Sequence, residues 1–242
     1  GDEPPDDPRR GLMRSAFKGG YTMSLWVGDA ASGEAREFWH TTPEERVFTA
    51  INAIQWAGDH VIFSVTVPND EWDRWFSVPL AGPATVKPTL LTTTDGIIED
   101  ATCSTLSKDG KTFFYTTNAG DIDRRHLWAV PTAGGTPKQI STGKGIETYP
   151  MAFSSGTRLA SLTADARRPQ SVGLVTIAGG EQRVIYPTLT DFPLDAHGEP
   201  QAVTLKASDG FEFYNQLFLP KDIRAGERRP AMIFVHGGPV RQ

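Results

Sequence analysis

A Gly turn leads into a strand-like run at Asp109-Gly110-Lys111-Thr112-Phe113-Phe114-Tyr115-Thr116-Thr117. Glycine permits the tight turn of a hairpin, and the β-branched and aromatic residues that follow are typical of a strand. The same arrangement surrounds Gly58 and Gly156, so that the turns recur at intervals of 52 and 46 residues. The sequence therefore contains an internal repeat built from strands.

A second feature keeps the same period. It is a short strand pattern that ends in Ala-Gly, and its three copies are Trp75-Phe76-Ser77-Val78-Pro79-Leu80-Ala81-Gly82, Leu127-Trp128-Ala129-Val130-Pro131-Thr132-Ala133-Gly134 and Val172-Gly173-Leu174-Val175-Thr176-Ile177-Ala178-Gly179. A partial copy, Leu25-Trp26-Val27 with Ser32-Gly33, precedes them. With a further short strand after each copy, one unit holds about four strands and no helix.

Four-stranded units of this length are typical of propeller blades. Residues 1–198 are therefore predicted to form a partial β-propeller of about three and a half blades, with a linker from about residue 187. An antiparallel sandwich with coincident turns is the alternative, and the shared period of two separate features disfavours it. The strand-borne tryptophans are expected to pack between blades: Trp26, Trp56, Trp72, Trp75 and Trp128.

The last part of the chain, residues 199–242, differs in kind. Two β-rich runs flank the turn Ser208-Asp209-Gly210, and Ala231-Met232-Ile233-Phe234-Val235 is a continuous apolar run of the kind found in a parallel strand covered on both faces. His236-Gly237-Gly238-Pro239 follows directly. Glycines in this position let backbone N–H groups approach a ligand, as in an oxyanion hole.

Taken together, the blade repeats, the Gln216-Leu217-Phe218-Leu219-Pro220 segment and the His-Gly-Gly-Pro turn resemble the prolyl oligopeptidase family of serine peptidases. The run from Gly120 to Trp128 resembles bacterial members near the dipeptidyl-peptidase and acylaminoacyl-peptidase branches. The resemblance implies a mainly β chain, in which the partial propeller is followed by the first strands of an α/β-hydrolase domain. It also implies a Ser-His-Asp triad beyond Gln242, so this chain alone is expected to be inactive.

Carried over residue by residue, the resemblance assigns Gly237 and Gly238 as oxyanion donors and His236 as their neighbour. It also suggests that Glu44 and Glu45, the only adjacent Glu pair, grip the amino terminus of a peptide substrate. The alternative for this pair is a helix start in Thr41-Thr42-Pro43-Glu44-Glu45, with Thr as the cap, Pro at the first position and the acids in the first turn. Ser154, in the nearest variant of a Gly-x-Ser-x-Gly motif, aligns with a hairpin turn and is not expected to be a nucleophile.

Composition narrows the classes of partner. Lys and Arg number 24 against 29 Asp and Glu, a net charge of −5 that argues against nucleic acid and against a membrane surface. The single cysteine and the spacing of the five histidines predict no metal centre, and no cofactor is implied. The charged run from Asp121 to Arg125 is expected to form ion pairs rather than to bind substrate. A homo-oligomer is compatible with the sequence, and so is a cytoplasmic, periplasmic or secreted location.

Two other functions stay open at this point. Gly-rich turns of the same type serve carboxylesterases and lipase-like hydrolases, and a propeller can also be a non-catalytic binding module. A downstream nucleophile elbow would exclude the binding module, and the propeller repeats directly before the turn disfavour the esterase.

Overall fold

The computed structural model describes residues 22–42, 44–45, 47–49, 51–188 and 191–235, and strands dominate it. The strands form four successive sheets, a short two-stranded parallel sheet between the last two of them, and a final hairpin. Sheet I holds β1 (Ser24–Gly28) and β2 (Ala35–His40). Sheet II holds β3 (Ile51–Ala57), β4 (His60–Thr66), β5 (Asp73–Pro79) and β6 (Thr89–Leu90).

Sheet III holds β7 (Ser104–Leu106), β8 (Thr112–Thr117), β9 (His126–Pro131) and β10 (Lys138–Gln139). Sheet IV holds β12 (Ile146–Ala152), β13 (Arg158–Asp165), β14 (Arg168–Thr176) and β16 (Arg183–Tyr186). Between sheets III and IV, β11 (Ser141–Thr142) pairs in parallel with β15 (Gly180–Glu181). The final hairpin joins β17 (Gln201–Lys206) to β18 (Glu212–Leu217).

Sheets II, III and IV are antiparallel meanders in which each strand pairs with the next strand of the repeat. The Gly turns predicted from the sequence join the first strand of each sheet to the second. Because β1 carries the partial repeat Leu25-Trp26-Val27, sheet I corresponds to the third and fourth strands of a unit. The mainly β, propeller-type architecture expected from the repeats is therefore confirmed.

One backbone hydrogen bond marks the repeat at atomic level. In each four-stranded sheet, the residue after the third strand donates its amide to the carbonyl of the residue after the Gly turn: Leu80 to Asp59, Thr132 to Lys111 and Ile177 to Thr157, at 2.9, 2.9 and 3.0 Å. The turns of sheets II and III also nest against each other, because a Cβ on Gly58 would lie 2.9 Å from the carbonyl oxygen of Asp109. Adjacent repeats thus share one orientation.

Three apolar cores lie between successive sheets. Successive side chains of a strand point to opposite faces, so the inner strands supply two cores at once. Phe63 of β4 packs with Trp39 of sheet I, at 5.4 Å between ring centroids, while its neighbour Ile62 faces sheet III. Trp75 and Phe113 join sheets II and III with ring centroids 4.7 Å apart. The third core, between sheets III and IV, contains Phe114, Leu127, Ile140, Leu159 and Val175.

The prediction that the tryptophans pack between sheets is right for Trp75 and wrong for Trp26 and Trp56. The latter two are 61% and 59% exposed. Trp26 alternates along β1 with Leu25 and Val27, which contact the core, and so points to the other face of sheet I. No further sheet covers that face among the described residues.

The run Ala231 to Val235 also differs from expectation. It forms no strand, and its Met, Ile, Phe and Val side chains are exposed. A parallel strand needs neighbours to pair with and two layers to cover it, and the described residues place neither beside this run. Within those same residues, no helix has the length and apolar character to cross a bilayer.

Candidate functional site

The strand order places two sets of loops at one end of the sheets. The loops between the second and third strands of each sheet and the loops between consecutive sheets lie there together, because the meander reverses direction at every strand. We call this end the inter-sheet rim; it comprises Glu44 and Glu45 and residues 67–72, 91–100, 118–125, 143–145 and 166–167. The opposite end carries the Gly turns.

A cleft of about 540 Å³ lies where the rim of sheets III and IV meets the hairpin β17–β18. Three parts of the chain contribute to it: the two rim loops, the segment between sheet IV and the hairpin, and the hairpin itself. Its walls comprise Asp123, Arg124, Lys144, Ile146, Asp165, Ala166, Arg167, Arg168, Leu194, Glu199, Pro200, Ala202, Gln216 and Phe218. Charged side chains of both signs and apolar side chains thus face the same space.

Ion pairs fix three of the four cations of the cleft. The Arg124 guanidinium lies 3.2 Å from Asp121, and Arg167 lies 2.6 Å from Asp195. Lys144 lies 3.0 Å from Glu199. The hydrogen bond from Lys144 lowers the pKa of Glu199, and the charges of Arg167 and Arg124 lower it further. The low pKa of Glu199 therefore reflects first of all its ion pair with Lys144.

Three charged groups of the cleft, Asp123, Asp165 and Arg168, have no ion-pair partner among the described residues, and Asp165 accepts only the Arg167 backbone amide, at 2.8 Å. Within the described ranges, neither the Asp123 carboxylate nor the Arg168 guanidinium forms a side-chain hydrogen bond or an ion pair. Both side chains are partly buried. The expectation of ion pairs for the run from Asp121 to Arg125 is confirmed for the Asp121–Arg124 pair and for the Arg125–Glu99 pair at 2.6 Å. Asp123 is the exception, and nothing in the charge pattern distinguishes it from its neighbours.

The predicted Glu pair lies on the same rim, in the loop between sheets I and II. Glu44 is exposed, and the Glu45 carboxylate accepts a hydrogen bond of 2.7 Å from the Val47 amide. That bond caps a three-residue 3-10 turn, Val47–Thr49, which begins after both Glu residues and has no acidic residue in its first turn, so it is not the helix start with Glu44 and Glu45 in the first turn that the alternative predicted. A role in binding a substrate remains a prediction for both residues.

The other predicted site residues, His236, Gly237 and Gly238, lie outside the described residues. Ser154 is described, and it occupies the turn between β12 and β13 without a following helix. The expectation that Ser154 does not sit on a nucleophile elbow is confirmed.

A buried network joins sheets III and IV below the rim. Glu147, 1% exposed, lies 3.0 Å from Nδ1 of His126 and accepts a hydrogen bond of 2.9 Å from Ser141 Oγ. Nε2 of His126 faces Asp121 at 3.6 Å. Glu147 and, to a smaller extent, Asp121 raise the pKa of His126.

These residue types also occur in catalytic triads, but the arrangement here differs. The serine donates to the carboxylate instead of to the imidazole, and it is fully buried. The network is therefore a structural connection between two sheets. Among the described residues, no three His, Cys, Asp or Glu side chains converge as a metal centre would require.

Comparisons with known proteins add an independent line of evidence. No protein-family model matches the chain. Dipeptidyl peptidase 8 of Mus musculus and of Homo sapiens is 25% identical over 84 residues, which span 31% of this chain and 9% of those relatives. The match thus covers a small part of the length of either relative.

Among solved structures, a puromycin hydrolase S511A mutant complexed with PGG is similar, with a TM-score of 0.51 and 20% identity over 75% of this chain and 26% of that one. TolB from Acinetobacter baumannii has a TM-score of 0.48, with 16% identity over 80% of this chain and 48% of that one. The fold is of propeller type. The sequence match supports a relation to prolyl oligopeptidase-like proteins and indicates no particular member.

Proposed function

We propose that this chain is part of a serine peptidase that cleaves peptides by acyl transfer. The observation that carries the proposal is the cleft between the rim of the stacked sheets and the hairpin β17–β18. The similarity to dipeptidyl peptidase 8 supports the same class of reaction. The stacked sheets restrict access to the cleft, so extended peptides reach it more easily than folded proteins.

In this proposal the nucleophilic Ser and the Asp and His of the triad lie outside residues 1–242. The Ser attacks the peptide carbonyl, the His takes its proton and then delivers it to the leaving amine, and the Asp orients the His. The backbone amides of Gly237 and Gly238 donate to the oxyanion, beside His236. Glu44 or Glu45 binds the substrate's amino terminus. The reaction needs no cofactor.

The proposal is tested on a polypeptide that continues past Gln242 through the predicted triad. We expect stoichiometric labelling by a fluorophosphonate and hydrolysis of a dipeptidyl p-nitroanilide. Replacing a single oxyanion donor, by Gly237→Pro or Gly238→Pro, should lower kcat by about 10²–10³-fold with less change in KM. Ser154→Ala is the matched control and should leave the rate unchanged.

Three results would decide against the peptidase. Hydrolysis of p-nitrophenyl butyrate without peptide cleavage would indicate the esterase. Absence of both labelling and hydrolysis in a folded protein would indicate the binding module. Labelling of Ser154 in residues 1–242 alone would contradict the placement of the nucleophile.

A further inference from the structure

Three Asp-Gly pairs occur in the sequence, and all of them lie between strands: Asp95-Gly96 before sheet III, Asp109-Gly110 between β7 and β8, and Asp209-Gly210 between β17 and β18. An Asp-Gly pair can rearrange by itself, because glycine has no Cβ to keep its amide nitrogen away from the preceding side chain. All three glycines have a positive φ. Their surroundings differ, and these decide which pair is free to react.

The turns at Asp109 and Asp209 have the same local hydrogen bonds. In each, the Gly amide donates to the carbonyl three residues earlier, at 2.8 and 2.9 Å, and the Asp carboxylate accepts from the amide two residues later, at 3.1 and 3.0 Å. One contact is different: Ser107 donates its hydroxyl to Asp109 at 2.6 Å, whereas the equivalent residue of the hairpin is Ala207. The hydrogen bonds from Ser107 and Lys111 lower the pKa of Asp109, so this carboxyl group is protonated less often.

Packing separates the pairs further. Gly110 is buried against the neighbouring turn, since a Cβ there would lie 2.7 Å from the carbonyl carbon of Ala57. Gly96 is also buried, and a Cβ on it would lie 2.7 Å from a backbone nitrogen of the loop after β8. Gly210 is exposed, and beyond its chain neighbours the atom nearest to a Cβ would be Cε of Lys206, at 3.8 Å. The main chain can therefore rotate at Gly210 without opening a core.

The hairpin around Asp209 adds little resistance of its own. Among its strand residues only Val203 and Asn215 are partly buried, and the others are exposed. A two-stranded hairpin is marginally stable unless a further layer covers one of its faces. Opening this turn therefore costs less free energy than opening the turn at Asp109, which lies between two packed sheets.

We propose that Asp209-Gly210 is a site of spontaneous isoaspartate formation, and that packing protects the pairs at Asp95 and Asp109 from the same reaction. The amide nitrogen of Gly210 attacks Cγ of the protonated Asp209 carboxyl group, the new C–N bond forms as the C–OH bond breaks, and the hydroxyl leaves with the amide proton as water. Water then adds to the main-chain carbonyl of the succinimide ring and breaks its bond to the Gly210 nitrogen. The net change is a rearrangement in which the main chain runs through the side chain of residue 209. The reaction needs only water, so it does not depend on the proposed peptidase.

The rearrangement lengthens the turn by one carbon atom. Turn length and type fix which residues of a hairpin pair. Ala202 and Gln216 face each other across the hairpin, and both line the cleft. The modified chain is therefore expected to present a looser wall to the cleft, with faster amide exchange in β17 and β18 than in the unmodified chain.

All three pairs can be followed in one sample. The 242-residue chain is incubated at neutral pH, digested and mapped by mass spectrometry, with electron-transfer fragmentation to distinguish isoaspartate from aspartate of equal mass. We expect isoaspartate to accumulate at residue 209 roughly tenfold or more faster than at residue 95 or 109, because those two turns must first open against their packing. In urea the three rates should converge to within about threefold, since the packing is then lost.

Substitutions near the turn test the chemistry. Asp209→Glu keeps the charge but requires a larger ring, so it should abolish the product at residue 209. Ala207→Ser introduces the hydroxyl contact found at Asp109 and should slow the reaction roughly fivefold, the effect of one hydrogen bond to the carboxylate. Asp191→Glu, a change at an exposed acid that no glycine follows, is the matched control and should leave the rate at residue 209 unchanged. Thermal melts establish that the variants fold.

Equal rates at the three pairs of the native chain would overturn the proposal, and so would faster reaction at residue 95 or 109. A ratio that persists unchanged in urea would also contradict it, because the sequence rather than the packing would then set the rates.

Discussion

Glu147→Gln probes the most deeply buried charged group between sheets III and IV. The substitution keeps the size of the side chain and an oxygen that can accept from Ser141. It removes the negative charge that faces the imidazole of His126 at 3.0 Å. Any change in stability then reports on charge rather than on packing.

The expected loss of stability follows from the two contacts of Glu147, with His126 and with Ser141. A hydrogen bond to a charged group contributes about 1.5–3 kcal/mol and a neutral one about 0.5–1.5, so the exchange costs about 1 kcal/mol per contact and about 2 kcal/mol in total near pH 6. The raised pKa of His126 means that the folded state holds its proton more tightly than the unfolded state. That stabilisation is complete below the unfolded pKa and is lost as the pH rises through the folded pKa. Burial raises the pKa of Glu147, so the contribution of this group to stability also falls as the pH rises.

The free energy of unfolding is measured by urea denaturation between pH 5.5 and 9. We expect the cost of Glu147→Gln to fall from about 2 kcal/mol at pH 6 to about 1 kcal/mol at high pH, because the imidazole loses its proton in both proteins while the Ser141 contact still distinguishes a charged from a neutral acceptor. Glu181→Gln, an exposed change near the same sheets, is the control and should have little effect. Parallel pH profiles for the Glu147 variant and the unsubstituted protein would refute the charged pair.

Three further outcomes are expected. Gly110→Ala should lower the free energy of unfolding in the same urea titration by about 2–4 kcal/mol, because a Cβ at this position would lie 2.7 Å from the carbonyl carbon of Ala57. Gly33 has a similar positive φ but open space around it, so Gly33→Ala should lower the free energy of unfolding by only about 1–2 kcal/mol. Asp70→Asn should lower the free energy of unfolding by about 1–3 kcal/mol in a thermal melt, because the Asp70 carboxylate pairs with the largely buried Arg74 at 2.8 Å. Asp95→Asn should lower it by less than about 0.5 kcal/mol, because Asp95, the second partner of Arg74, is 77% exposed. Cys103 is buried, and burial raises the pKa of its thiol, so it should react with a thiol reagent only after denaturant unfolds the chain; rapid labelling of the native protein would contradict its position.

The repeat was predictable because it depends on local chemistry. Glycines 58, 110 and 156 allow turns that other residues resist, and each turn is followed by strand-forming residues, so period and strand count could be read together. The run from Ala231 to Val235 shows the limit of such reasoning. Apolar composition predicts burial only where other layers exist to cover it.

The cleft was not predictable from the sequence. Asp123 and Arg168 are far apart along the chain, and their charged neighbours pair locally in one case, Arg124 with Asp121, and at long range in the other, Arg167 with Asp195. Which member of a charged run stays unpaired depends on how the loops of two sheets face each other, and no spacing rule encodes that arrangement. The helix start predicted around Glu44 and Glu45 was also wrong in position, because the 3-10 turn begins at Val47 and Glu45 only caps it.

Because the inner strands supply side chains to two cores, the sheets are expected to unfold in a definite order. Sheets II and III each have an apolar core on both faces. Sheet I has a core only on the face towards sheet II, and sheet IV only on the face towards sheet III. When units contact only their neighbours, their stabilities add along a line and the outermost members fray first. Amide hydrogens should therefore exchange slowest in β4 and β8 and progressively faster outward, so that loss of order begins at the outer sheets and reaches the middle of the stack last.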